Sequence, residues 1–335
     1  MIGLLSDVSG PAGPCCGVPG KAGAELALAE LNAAGGIDGK DVEFKFNDTQ
    51  GAKDQAVRLY RRLADDGAVA VVGPTRTDEV LVLAGVADQQ GVPFVSTGSR
   101  GPFPGDFGSD AFRIAISEEQ IAGPFMDRLV ADADISSIAL ISASDDPALQ
   151  AGAEAFKEAA EDAGVSAVAE ETFSTGDTDF SAQVTKIKDS DPDAVAIAAQ
   201  VDDGGLIVAE LARAGVDAQL VGLGGMASAD WFEVAGEQGA GLLAATPFDP
   251  SSKDKAVTDF VSAYTEETGE APGVDAAYGY ASAQVIFEAV RRALDAGDLS
   301  PEAVREQLGQ LQDFDTVVGP VTYDARATVR RWTRP

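Results

Sequence analysis

The sequence predicts two α/β lobes, each a doubly wound parallel sheet, joined by a hinge that the chain crosses several times. Three observations carry that prediction. A chain of 335 residues is too long for one core and fits two domains of about 150 residues each. Short apolar runs alternate with stretches of helical period, as βα units require. That alternation restarts after Phe112–Ile116, and the helical segments beyond Pro250 need a sheet to cover.

Taken in order, Ile2–Ser6 reads as a strand, and Lys21–Asn32 as a helix stopped by Gly35-Gly36. Val42–Phe46 alternates apolar and polar residues and ends at Asn47-Asp48. A helix over Ala52–Asp65 leads to the buried strand Val69–Val72. The turn Gly73-Pro74 opens a helix over Asp78–Gln90, and Pro93–Ser96 is the next strand. The second lobe repeats this grammar: helix Glu119–Ala131, strand Ile138–Ser142, helix Ala148–Ala163, strand Ser166–Phe173, helix Phe180–Lys188, strand Ala194–Ala199, helix Gly205–Ala214, and strands Leu220–Leu223 and Leu242–Thr246. After Pro247–Pro250 come helices Lys253–Glu267, Val274–Leu294 and Pro301–Leu311, then the β-rich Val317–Tyr323. Their apolar faces imply a return to the first sheet, which lacks helical cover on one side. The expected lobes are 1–116 with 250–323, and 117–249 with 324–335. Crossings near Ile116–Glu118, Phe248–Pro250 and Tyr323–Ala325 make the hinge, and the ligand cleft lies between the lobes at the carboxyl ends of the strands.

Composition narrows the function. Hydrophobic residues make up 45% of the chain and are spread along it, so both lobes can bury a core. With 24 Lys+Arg against 55 Asp+Glu, the net charge of −31 argues against nucleic acid as a partner. The longest apolar runs are strand-sized, far short of the ~18 residues of a membrane span. Met1 leads straight into the first strand, so the expectation is that a leader has been removed. There is no histidine, which removes the Ser-His-Asp triad, imidazole metal sites and the commonest general acid/base. No phosphate-binding loop or dinucleotide fingerprint follows the first strand. No enzyme activity, cofactor or metal is expected.

Two strand-to-helix turns stand out, because ligands in open parallel sheets settle where backbone amides and helix N-termini are free. Gly73-Pro74-Thr75-Arg76-Thr77-Asp78 places hydroxyls and a guanidinium before a helix; capping of that helix by Thr77 or Asp78 is the plainer reading. Ser96-Thr97-Gly98-Ser99-Arg100 offers the same mixture after the next strand. The only two cysteines, Cys15 and Cys16, are adjacent, which leaves a vicinal disulfide or two thiols in the first loop.

Further stretches carry a family resemblance. Leu31-Asn32-Ala33-Ala34-Gly35-Gly36-Ile37-Asp38-Gly39 is the most specific; Asn47-Asp48-Thr49-Gln50, Val71-Val72-Gly73-Pro74, Gly91-Val92-Pro93-Phe94-Val95-Ser96, Phe112-Arg113, Asp179-Phe180-Ser181 and Gly241-Leu242-Leu243 support it. Over nearly its full length the chain resembles the periplasmic leucine/isoleucine/valine-binding proteins, the type I solute-binding subunits of ABC transporters. The resemblance implies a Venus-flytrap clamp, monomeric and outside the cytoplasm in the periplasm or as a lipoprotein, that presents an amino-acid-like small molecule to a membrane permease. It places the ligand carboxylate at Thr75, Arg76 and Thr77, and a second contact at Gly98, Ser99 and Arg100. Cys15 and Cys16 occupy the loop that usually brings an aromatic residue to the ligand. In the second lobe Asp146-Pro147-Ala148 lacks the usual aromatic residue, Gln200 replaces another, and Gly224 stands where an acid commonly meets the ligand ammonium. Asp275, ahead of Tyr278 and Tyr280, replaces that charge or else caps its helix. A ligand without an amine, such as an aromatic or short organic acid held by arginine, is the variant reading. A ligand-sensing domain of a regulatory receptor is the other.

Overall fold

The computed structural model describes residues 1–100, 110–133, 135–224, 226 and 231–323. The expected placement of 324–335 in the second lobe, and the crossing expected there, lie outside the described residues. The chain divides into two compact units, one of Met1–Ser99, 110–116 and 247–323, the other of 117–246 with Arg100. Each holds one five-stranded parallel sheet.

In the first unit β1 (Ile2–Ser6), β2 (Phe44–Asp48), β3 (Val71–Val72), β4 (Phe94–Ser96) and β5 (Ala111–Arg113) lie in the order β2-β1-β3-β4-β5. The connecting helices are α1 (Val18–Ala33), α2 (Lys53–Asp65) and α3 (Thr77–Gln90). Neighbouring side chains on a strand point to opposite faces, and both faces are apolar here. Leu5, Val71, Phe94 and Ala111 pack with Tyr60, Leu63 and Leu83 of α2 and α3. Leu4, Val72, Val95 and Phe112 face the other way. Phe94 is fully buried edge-on to Tyr60, a position where truncation to Ala costs about 3–5 kcal/mol.

The second unit repeats the plan. It contains α4 (Glu118–Ala133), β6 (Ser137–Ala143), α5 (Pro147–Asp162), β7 (Ser166–Phe173), α6 (Ser181–Asp189), β8 (Ala194–Ala199), α7 (Val201–Ala214), β9 (Gln219–Gly224), α8 (Trp231–Ala235) and β10 (Leu243–Ala244), with sheet order β10-β9-β8-β6-β7. The central strand β8 is buried throughout, while the edge strand β7 is mostly exposed or half-buried. Asp193 accepts the amides and hydroxyls of Ser136 and Ser137 at 2.7–2.9 Å and so pins the start of β6 to that of β8.

Two expectations change here. The helix expected from Gly205 begins at Val201, because Gly204 and Gly205 are packing residues rather than loop residues. A Cβ on Gly205 would come within 2.6 Å of the Val234 side chain on α8. The strand expected over Leu242–Thr246 shrinks to the two residues of β10.

The chain returns to the first unit with α9 (Lys255–Thr268), α10 (Val274–Asp295), α11 (Pro301–Gly309) and an antiparallel hairpin of β11 (Phe314–Thr316) and β12 (Gly319–Val321). Ala277, Ala281, Ile286 and Phe260 join Leu4, Val72 and Val95 in one core, so this sheet is covered on both faces. Helices α1 and α10 approach until backbone meets backbone: a Cβ on Gly23 would lie 2.0 Å from the Ala276 carbonyl oxygen, and one on Gly279 would lie 1.9 Å from that of Gly20. Only glycine permits this crossing, and it fixes the first turn of α10 against the loops after β1 and β4.

Candidate functional site

In a parallel sheet of order 2-1-3-4-5 the strand order reverses between β1 and β3, and the crevice at their carboxyl ends is where ligands bind. In the first unit that point is occupied by a row of three hydroxyls. Ser6, the last residue of β1, lies 3.4 Å from Thr75, which lies 3.2 Å from Thr97. All three residues are almost fully buried. Ser6 donates to the carbonyl of Gly17 at 2.7 Å, so its proton is committed. Those of Thr75 and Thr97 can turn toward an anion.

Each turn is held by local chemistry. After β3, Gly73 has φ of 95° and its position leaves no room for a side chain, since a Cβ would sit 1.9 Å from the Leu5 carbonyl oxygen. Ser96 donates to the carbonyl of Pro74 at 3.0 Å, and Ser99 to the hydroxyl of Thr77 at 3.2 Å. These bonds tie the two expected turns to each other. Capping does not account for Thr77 or Asp78, because the N-cap of α3 is Arg76. The Arg76 guanidinium, half-buried, is paired with Asp78 at 3.0 Å. Burial opposes its charge, but the carboxylates of Asp78, Glu79 and Asp7 outweigh burial and raise its pKa.

Asp275 completes the group. It is half-buried in the first turn of α10, whose N-cap is Gly273, so the capping reading of Asp275 is corrected. A Cβ on Gly98 would lie 3.6 Å from Asp275 Oδ1 and 2.9 Å from the Thr75 carbonyl oxygen. The carboxylate therefore stands beside the hydroxyl row, across the small Gly98. Tyr278, one turn further on, is fully buried in the first core.

Cys15 and Cys16 are joined as a vicinal disulfide inside a π-helical turn, Gly13–Gly17, that links the loop after β1 to α1. Cys15 is exposed. Because two adjacent residues close almost no loop, the bridge takes little entropy from the unfolded chain. The double variant Cys15→Ser, Cys16→Ser is expected to keep its thermal midpoint within about 2 °C of the parent. A much larger drop in differential scanning calorimetry would show that the bridge, not the surrounding packing, holds the turn.

The second unit gathers its candidates at the same topological point of its own sheet. Asp146, N-cap of α5, accepts the amide of Ala148 at 2.9 Å. Gln200, N-cap of α7, donates to Asp146 at 3.5 Å. Gly224 ends β9, paired with Ala199. Asp203, nearly buried, accepts the Gly176 amide at 3.2 Å, and burial raises its pKa. Arg100 is half-buried and groups with this unit.

Ser6, Thr97, Glu79 and Asp203 were not among the expected site residues. Ser6 carries one legible signal, being the polar terminus of an otherwise apolar strand. Among the described residues no cluster of three or more acidic, Cys or His side chains could hold a metal ion, and no helix is long and apolar enough to cross a membrane.

The periplasmic binding protein family profile matches residues 1–332. The chain is 30% identical over 326 residues to Leu/Ile/Val-binding protein homolog 3 of Brucella melitensis, covering 96% of this chain and 86% of that protein. It is 25% identical over 333 residues to a leucine-, isoleucine-, valine-, threonine- and alanine-binding protein of Pseudomonas aeruginosa, covering 99% and 87%. Among solved structures, the branched-chain amino acid transporter substrate-binding protein LivJ of Streptococcus pneumoniae, crystallised with isoleucine, aligns with a TM-score of 0.85 at 25% identity, covering 98% of this chain and 92% of that one. An ABC transporter substrate-binding protein of Sphaerobacter thermophilus shares the fold with a TM-score of 0.88 at 24% identity, covering 97% and 89%.

Proposed function

This chain belongs to the periplasmic binding protein family, a family of substrate-binding proteins rather than enzymes, and on that premise we propose that it is the extracytoplasmic receptor of an ABC importer for a branched-chain amino acid. The observation that carries the proposal is the pairing of opposite chemistries in one small space of the first unit. The hydroxyls of Thr75 and Thr97 offer protons to a carboxylate, and Asp275, beyond Gly98, offers a negative charge to an ammonium. Those are the two charged ends of an α-amino acid. The names of the relatives in Brucella and Pseudomonas support the branched-chain assignment.

The variant reading, an acid without an amine, requires an arginine free for the carboxylate. Arg76 is held by Asp78 instead, and Asp275 would then repel the ligand, so the amino-acid reading is the stronger. A membrane permease is the partner this role implies.

Thermal-shift titration with L-leucine, L-isoleucine and L-valine tests the assignment. At ligand concentrations about a hundredfold above Kd the stabilisation is expected to be about 2.7 kcal/mol. No shift with any of the three would sink it. Thr75→Val, which keeps the volume and removes the hydroxyl, is expected to weaken leucine binding about tenfold, the worth of one hydrogen bond to a charged group. Calorimetric titration reads that change directly.

A further inference from the structure

Beneath the hydroxyl row is a polar group that neither the fold nor the ligand reading has used. Glu79 is fully buried in the first turn of α3. Buried acids are rare without a task or a partner. Its surroundings come from three loops. From the loop after β1 comes Asp7, also fully buried, whose Oδ2 accepts the amide of Ala12 at 3.0 Å. From the loop after β2 comes Thr49, fully buried, whose amide donates to the Ser6 carbonyl at 2.9 Å. From the turn itself come the backbone amide of Arg76 and the carboxylate of Asp78, the latter also 3.8 Å from Lys53 of α2. Glu79 at the third helical position, facing the amide of its own N-cap residue, has the arrangement of a capping box. Yet neither Glu79 oxygen, nor the Thr49 hydroxyl, nor Asp7 Oδ1 completes a hydrogen bond of full geometry.

We propose that Glu79 is a positioning residue for the ligand carboxylate: from beneath the loops after β1, β2 and β3, its side chain sets the Thr75–Arg76–Thr77 turn that the carboxylate meets. Thr75 and Arg76 precede it by one helical turn, and Asp7 follows Ser6, so a shift of this buried group moves two of the three hydroxyls. This role rests on the amino-acid reading above.

The role has a consequence in pH. Burial raises the Glu79 pKa to about 7; the Thr49 hydroxyl opposes the rise, and the charges of Asp7 and Asp78 add to it. Below that pH the carboxyl is neutral and tolerates its buried place. Above it, a second negative charge joins Asp7 under the turn that must receive an anion; the Arg76 guanidinium of that turn faces both acids, is held by Asp78, and is drawn further from the ligand by the added charge. Ligand binding therefore favours the protonated form, so leucine binding takes up protons near neutral pH, and affinity falls as pH rises through about 7.

The test is calorimetric titration of the full chain with L-leucine from about pH 6 to about pH 8.5, in two buffers of different ionisation enthalpy, for the wild type, Glu79→Gln and Glu79→Ala. The wild type is expected to lose about fivefold or more in affinity across that range, with measurable proton uptake near pH 7. Glu79→Gln is expected to bind with an affinity that no longer changes with pH, and Glu79→Ala to bind more weakly at every pH. A flat wild-type profile, or a Gln variant that titrates like the wild type, overturns the role of Glu79 and leaves the amino-acid reading standing. No binding at any pH overturns both. Should Glu79→Gln not fold, wild-type proton uptake decides alone, and zero uptake near pH 7 overturns the role.

Discussion

Asp275→Asn is expected to weaken leucine binding by about thirty- to a hundredfold, the equivalent of about 2–3 kcal/mol. The substitution keeps the shape and removes the charge, so an ammonium brought to this place loses its counter-ion after giving up its water. The loss sits at the low end of what a desolvated ion pair costs, because Asp275 is only half-buried and solvent still screens it. The close crossing of α1 and α10 through Gly20, Gly23 and Gly279 holds its backbone and keeps the carboxylate from relaxing away. Stability of the unliganded protein should change little. Calorimetric titration with leucine reads the loss, and an Asn variant within threefold of the parent would remove Asp275 from the site.

Gly73→Ala carries the second large effect, on fold and site together. The residue sits at φ of 95°, where an L side chain is strained, and the new Cβ would fall 1.9 Å from the Leu5 carbonyl oxygen. No side-chain rotation relieves a contact between Cβ and backbone. The amide of Gly73 donates to Val95 at 2.8 Å, so the clash arises where β1, β3 and β4 meet and must be relieved by moving one of them. The cost is expected at about 2–5 kcal/mol, strain and overpacking combined, read as a lower denaturation midpoint of the first unit with unchanged slope. Leucine binding should fall with it, since Thr75 lies two residues on. Parent-like stability and binding in this variant would contradict the account of the turn.

How much of this was legible beforehand differs between fold and site. Strands such as Ala194–Ala199 were readable because strands covered on both faces are apolar without interruption, and the helices because an amphipathic period survives without neighbours; the strand expected over Val69–Val72 shrinks to Val71–Val72. Gly204-Gly205 misled for a physical reason: a glycine pair signals a break in one sequence, but in the fold Gly204 makes room for the Met226 side chain and Gly205 for α8, a helix too short to announce itself by periodicity. In the site, the turns after β3 and β4 were visible in their glycines, hydroxyls and prolines. The hydroxyl row was not, because Ser6, Thr75 and Thr97 become neighbours only when β1, β3 and β4 are set side by side. Tyr278 was expected near the ligand because it lies one turn from Asp275. Residues Ala276 to Ala283 are all buried, and Tyr278 packs in the first core. Glu79 gave no signal at all, since an acid in the first turn of a helix is ordinary until its burial is known.

In the proposed role this protein holds the two charged ends of an amino acid at once, carboxylate on hydroxyls and ammonium on Asp275. Calorimetric titration of the wild-type chain with L-leucine and with its 2-oxo analogue, 4-methyl-2-oxopentanoate, separates the two ends, because the pair share carboxylate and side chain and differ only at the α-carbon, which carries an ammonium in one and a carbonyl in the other. Leucine is expected to bind saturably, and the oxo acid with an affinity lower by about thirtyfold or more. Equal or tighter binding of the oxo acid would contradict it.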